Sequence, residues 1–195
     1  MADARHILIL QGHPDPAGGH YDNALADAYA DGAEAAGHTV ERLAVGQCNF
    51  TLLRTSADFT HGEPPDSIAN TQAAIERAEH IVLIYPLWLG TMPALLKGFL
   101  EQVFRPGFAF SYGTKGFPKG RLTGRSARVV VTMGMPAFAY RWWFGAHSLR
   151  SLERNILRFC GIRPVRDSVV GSVEKSAAHR DKWLARMRKL GARAR

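Results

Sequence analysis

Cysteine is scarce in this 195-residue chain: Cys48 and Cys160 are its only two, and neither belongs to a C-x-x-C pair. That spacing argues against a zinc ribbon or a redox dithiol. Cys160 lies in an apolar helical stretch and reads as a small buried hydrophobe. In a cytosolic chain a disulfide is the weaker alternative. No apolar run approaches the roughly 20 residues that span a bilayer. The opening Met1-Ala2-Asp3-Ala4-Arg5-His6 lacks the charged segment, long apolar core and small-residue cleavage site of a secretory signal, so the expected location is the cytoplasm. Neither the dinucleotide GxGxxG nor the Walker phosphate loop occurs, which argues against a Rossmann dehydrogenase and an NTPase.

Acidic residues are also in the minority, 17 against 25 basic ones, for a formal charge of +8. Such a balance suits nucleic acid, an anionic membrane or phosphorylated small molecules. Much of it lies in Lys182, Arg186, Arg188, Lys189, Arg193 and Arg195, the solvated face of a terminal helix. No zinc finger, RNP motif or basic zipper accompanies it, so no nucleic-acid partner is expected.

What the chain does have is alternation. Five short apolar runs read as buried strands: His6–Leu10, Thr39–Leu43, His80–Tyr85, Ala127–Met133 and Asp167–Val173. Helical patterns fall between them, over Tyr21–Ala36, Ser67–Glu79, a stretch from Met92 with Pro93 at its first position, Ser148–Cys160 and Ala177–Leu190. Strand–helix alternation predicts an α/β fold with a parallel sheet covered on both faces. Right-handed crossovers leave few arrangements of five strands, and the flavodoxin-like order 2-1-3-4-5 is one of them. Residues 1–195 read as a single domain. Two long connections, Ala44–Pro65 and Arg105–Ser126, stand out as functional candidates.

In such a sheet ligands bind beyond the carboxyl ends of the strands, where the order reverses. The loops after strands 1, 3 and 4 meet there, and all three are unusual. The first, Gln11 to Asn23, is rich in Gly and Pro and leads into a helix. It predicts an anion site made by N–H groups at a helix start, with His13 and His20 as further donors; an ordinary capped turn is the equal alternative. The second, Tyr85 to Gly98, sets Trp88 on a loop beside Gly90 and offers a flat apolar wall to a planar heterocycle. The third carries Phe138, Tyr140, Trp142, Trp143 and Phe144, too many aromatics for a plain solvent loop. Tyr140 and His147 are its proton-active side chains.

These loops resemble those of the NAD(P)H:quinone oxidoreductase family, the flavodoxin-2 group that includes mammalian quinone reductases and ancillary oxidoreductases of bacterial potassium-efflux systems. The match is longest from Tyr85-Pro-Leu-Trp-Leu-Gly-Thr-Met-Pro-Ala-Leu-Leu-Lys-Gly to Phe104, followed by Gly107-Phe-Ala-Phe110. His13-Pro, Ala24-Leu25, Thr132-Met-Gly134, Tyr140 and Phe159-Cys-Gly161 extend it over nearly the whole chain.

The resemblance implies a non-covalent flavin and a ping-pong, two-electron hydride transfer from NAD(P)H to a quinone-type acceptor. It places the flavin phosphate on the loop from His13 through His20, Tyr21, Asp22 and Asn23. Pro86, Leu87, Trp88 and Leu89 would lie along the ring, with Thr132, Met133 and Gly134 at its pyrimidine end. Tyr140, with His147 one position out of register, would steady charge on the reduced ring. Phe108, Phe110, Phe138, Trp142 and Trp143 would wall the acceptor site, and a homodimer is implied. No metal is expected.

Two positions depart from the pattern: Asp22 stands where the family often has a neutral amide, and Leu89 where it has an aromatic. The short stretch after the fifth helix, where mammalian members carry an extension, favours FMN, with FAD as the alternative. The efflux relatives imply a second reading, a flavin- or nucleotide-binding regulatory partner of a membrane transporter with little turnover.

Overall fold

Strands that are apolar on both faces must be buried on both, and the computed structural model, which describes residues 3–113 and 118–195, does this with one parallel sheet. Its strands are β1 (His6–Gln11), β2 (Thr39–Ala44), β3 (His80–Pro86), β6 (Ser126–Thr132) and β7 (Val165–Val170), in the order β2-β1-β3-β6-β7. A two-stranded antiparallel pair, β4 (Phe110–Ser111) and β5 (Lys119–Gly120), interrupts the chain between β3 and β6. The order among the five is the flavodoxin-like one expected from the alternation.

Side-chain alternation along each strand splits the core in two. Leu8, Leu10, Leu83, Tyr85, Val129 and Val131 face one side, under α3 (Asp66–Arg77), α4 (Ala94–Val103) and α5 (His147–Ser151). Ile7, Ile9, Val82, Ile84, Val130 and Val170 face the other, under α1 (Tyr21–Ala35) and α6 (Ala177–Gly191). α5 continues as wider π turns over Leu152–Leu157. Among the described residues, no helix is long and apolar enough to cross a membrane.

The expected boundaries shift where glycine or extended backbone intervenes. The last strand is registered earlier than Asp167–Val173, because the chain bends away at Gly171. There a Cβ would sit 2.3 Å from Ala137 N. The helix expected to reach Glu79 ends at Arg77, since Ala78 is already extended. The connection from Ala44 to Pro65 holds a 3-10 turn, Val45–Gln47, and a one-turn helix α2 (Ser56–His61). α2 buries none of its residues, so no apolar period marks it. A cap marks it instead: Thr55 Oγ1 accepts from Asp58 N at 3.0 Å, and Thr55 N donates to Asp58 Oδ2 at 3.2 Å.

Candidate functional site

The order in which strands are added reverses between β1 and β3, and the loops that leave β1, β3 and β6 meet above that point. The chain can pass there only because residue 12 lacks a side chain. A Cβ on Gly12 would lie 2.7 Å from Leu96 Cδ2 and 3.0 Å from Tyr85 Cβ. Gly12 N donates instead to Ile84 O at 2.7 Å, which pins the loop to β3.

From Gly12 to the start of α1 the loop is held by its own side chains. Asp15 Oδ1 accepts from Ala17 N at 2.9 Å and Asp15 Oδ2 pairs with His20 Nε2 at 2.7 Å. Asn23 Oδ1 accepts from His20 N at 3.0 Å, closing the helix start. The His13 and His20 rings stack at 3.7 Å, and the edge of Trp88 meets His13 at 5.7 Å. Partial burial and the neighbouring imidazole hold the His13 pKa below its ordinary value. Gly18 and Gly19 both have positive φ, 72° and 78°, and a Cβ on Gly19 would meet nothing within 4 Å. Side-chain-free backbone at these two positions leaves the loop open to close approach from outside. A cavity of about 270 Å³ adjoins, lined by His13, Gly18, Asn23, Arg42 and Gln47 among others. Arg42 and Gln47 carried no signal in the sequence, since they come from β2 and the turn after it.

After β3 the chain makes a two-residue reversal. Trp88 N donates to Thr91 O at 2.8 Å and Thr91 N to Trp88 O at 3.0 Å, with Leu89 and Gly90 at φ 47° and 79° between them. Glycine takes that conformation freely, whereas leucine is strained in it by about 1–2 kcal/mol. Leu89 is nonetheless fully exposed, and Trp88 is 48% exposed. A bulky apolar side chain held out in a strained turn is placed to touch something outside its own chain. Leu89→Asn, which suits the left-handed region, is expected to stabilise the isolated chain by about 1 kcal/mol in thermal unfolding. A loss of stability would mean that Leu89 is held by contacts within the fold.

Asp22, at the second position of α1, faces inward. It is 4% exposed and its Oδ2 has no hydrogen-bond partner among the described residues. Burial pushes its pKa up to about 6, against opposing pulls from the Thr132 hydroxyl and His20. Thr132 and Met133 end β6, where Leu87 N donates to Thr132 O at 2.8 Å and Met133 N to Val170 O at 2.9 Å. Pro86 and Leu87 are half-buried beside them. Gly134 is exposed, with nothing within 4 Å of a Cβ built on it.

Other candidates lie elsewhere. The Tyr21 hydroxyl donates to Arg180 O at 2.9 Å, so this side chain ties α1 to α6 and only its backbone joins the loop. Tyr140 is 2% exposed, and its hydroxyl meets Ser148 Oγ at 2.8 Å and accepts from Leu149 N at 3.3 Å. His147 is exposed at the start of α5 and packs beside Gly145. The structure gives Tyr140 a serine neighbour rather than the expected histidine. Phe110 belongs to the core, edge-on to Phe159 at 4.9 Å. Phe108 packs against that core, while Phe138, Trp142 and Trp143 stand 69%, 86% and 87% exposed.

The family model Flavodoxin_2, described as a flavodoxin-like fold, matches residues 5–190. NAD(P)H dehydrogenase (quinone) 1 of Rattus norvegicus is 27% identical over 87% of this chain and 69% of its own. An FMN-dependent NADH:quinone oxidoreductase of Bordetella avium is 36% identical over 48% of this chain and 44% of its own. The solved NAD(P)H:quinone oxidoreductase of Methanothermobacter marburgensis superposes with a TM-score of 0.82 at 25% identity, covering 97% of this chain and 96% of that one.

Proposed function

The chain belongs to the Flavodoxin_2 family, and from that premise we propose that it is an FMN-dependent NAD(P)H:quinone oxidoreductase. The observation that carries the reading is the strained, exposed Trp88-Leu89-Gly90 turn standing beside an open helix-start loop at the sheet's switch point. When bound, the flavin supplies the two-electron chemistry between a reduced nicotinamide and a quinone.

Each remaining task falls to this chain's own residues. The N–H groups of Gly18, Gly19 and the first turn of α1 hold the phosphate, with His13, His20 and Asn23 setting the loop's shape. Pro86, Leu87, Trp88 and Leu89 form an apolar wall that orients the ring and excludes water. Thr132, Met133 and Gly134 meet its polar edge. Tyr140, buried with its hydroxyl taken up by Ser148 and Leu149 N, holds the loop after β6 in shape, and His147 is a surface group. FMN is favoured over FAD by the Bordetella avium relative's name. A second copy of the chain covers Phe138, Trp142 and Trp143, and the protein acts in the cytoplasm.

The test is an absorbance spectrum after reconstitution with FMN, followed anaerobically by NADPH and then menadione. Flavin bands that bleach with NADPH and return with menadione are expected. A protein that remains colourless after reconstitution overturns the reading. Gly134→Ala separates the cofactor from the fold: the added methyl has free space in the unliganded chain. Its melting temperature should therefore hold, while FMN affinity falls about tenfold. Unchanged affinity would remove Gly134 from the contact set.

A further inference from the structure

The end of the sheet opposite the candidate site carries a cavity of about 480 Å³ that the function above does not use. It is polar, lined by five arginines against the two side-chain carboxylates of Asp3 and Glu79. Helix C-termini gather at this end of an α/β sheet, and arginines there ordinarily serve to cap their carbonyls. Arg125 does so, donating from Nε to Ile75 O and from Nη2 to Glu76 O, each at 2.8 Å. Arg128 is likewise occupied, by Arg195 O, by Ser168 Oγ at 2.8 Å and by Asp167 O at 3.2 Å.

The cavity arginines are a different set. Arg5 precedes β1, Arg163 and Arg166 flank the start of β7, and Arg193 follows α6; the fifth, Arg195, stands apart because its main-chain oxygen is held by Tyr29 and Arg128. Among the described residues none of these four has a carboxylate within 4.0 Å; the ion pairs that do form use other cations. Four guanidiniums against the carboxylates of Asp3 and Glu79 leave the hollow with an excess of positive charge that an anion would offset.

A buried donor points the same way. His38 lines the cavity and is 6% exposed. Its Nδ1 accepts from Arg5 N at 3.1 Å, so the ring proton of the neutral form sits on Nε2, and Nε2 has no partner among the described residues. Buried polar groups in folded proteins are overwhelmingly paired, so an orphan N–H in a cavity wall marks a missing acceptor. Ser126 brings a hydroxyl to the same wall, held at 2.7 Å from His80 Nδ1. The positive field is felt behind it: burial foremost, then Arg128, Arg5, Arg166 and His38, push the His80 pKa down to about 3.

We propose that this cavity is a second anion site, separate from the loop before α1, that takes a diphosphate group, free or carried by a nucleoside. Paired phosphates supply several acceptor oxygens with more than one negative charge, which matches planar guanidinium forks and an N–H donor better than a single carboxylate does. The volume admits either source.

The test is calorimetric titration of FMN-loaded protein, in which the loop before α1 is already filled, with inorganic diphosphate, ADP and sulfate. The titrations are repeated on unloaded protein, because this proposal stands without the flavin reading. Saturable binding of diphosphate or ADP is expected, weakened at least about tenfold by the double change Arg163→Gln/Arg166→Gln. Arg121→Gln, which alters a cation that donates to Gly107 O, should leave it intact. Equal binding of diphosphate and ADP assigns the site to the free group, and binding of ADP alone to a nucleoside-borne one. Absence of saturable binding, sulfate binding as tight as diphosphate, or affinity unchanged in the double variant overturns the proposal. Circular dichroism of the variants keeps a folding defect from passing as a binding one.

Discussion

Asp22→Asn is expected to raise the melting temperature at pH 7.5 by on the order of 5 °C and to leave it nearly unchanged at pH 4. The carboxyl is buried, its Oδ2 has no partner among the described residues, and burial pushes its pKa from the ordinary carboxylate range up to about 6. A carboxyl whose folded pKa lies above its unfolded one favours the protonated, folded state. Its contribution is intact below the unfolded value, erodes as pH rises from about 4 to 6, and is lost above that. That displacement corresponds to about 3 kcal/mol at most, of which relaxation around the carboxyl leaves about half. The amide carries no charge to desolvate, so it escapes the penalty only where the acid would be ionised.

The same residue sits in the first turn of α1, where the FMN phosphate is proposed to bind. A second negative charge there raises the Asp22 pKa further, so FMN binding above pH 6 takes up a proton. FMN affinity in the unmodified protein should weaken with rising pH, by at most about tenfold per unit, and the variant should flatten that slope. Titrations in two buffers of different ionisation enthalpy measure the proton directly. An identical slope in both proteins would place the phosphate away from Asp22.

The sheet was legible in the sequence for a simple reason. Strands such as Ile81–Tyr85 and Val129–Val131 are buried on both faces, and that requirement writes an unbroken apolar run into the chain. Alternation and handedness left few orders, and the flavodoxin-like one among them is the order found. α2 escaped because it rests on the core through Phe59 alone, too little for an apolar period, and is held by a local cap at Thr55. The π turns over Ala139–Trp143 escaped because wide turns have no distinct apolar period.

Within the candidate site, residue types were easier to read than directions. Trp88 and His13 were foreseen on adjacent loops, yet their contact through the His13–His20 stack depends on the positive φ of Gly18 and Gly19. Tyr21 is conspicuous beside a helix start, but helical geometry turns its ring toward α6. Asp22, one residue on, is turned into the protein. The partner of Tyr140 was sought among residues with a working pKa. A serine one position beyond His147 lies on a different side of the helix start and reaches the hydroxyl instead. The motif fixed which loops matter; the hundred-degree step between successive helical residues decided which side chains enter them.

Gly32→Ala should cost about 3 kcal/mol or more and lower the melting temperature by on the order of 10 °C, because the obstacle is backbone. A Cβ on Gly32 would lie 2.0 Å from the carbonyl oxygen of Arg188, and one on Gly191 would lie 2.0 Å from that of Tyr29. No rotamer relieves either contact, so α1 and α6 must separate. One separation clears both, and the double variant Gly32→Ala/Gly191→Ala should therefore lose clearly less than the sum of the two. Additive losses would mean that each clash is absorbed locally. The displacement also has a functional reading, since α1 carries the loop proposed to hold the phosphate at its other end. Met187→Ala provides the comparison: Met187 is fully buried under the same sheet face, and its truncation costs about 2–5 kcal/mol by leaving a cavity. If α1 position sets FMN affinity, Gly32→Ala weakens binding well below its melting transition while Met187→Ala, similarly destabilised, binds as before. Equal affinities in the two variants would show that the loop before α1 keeps its shape independently of the helix it starts.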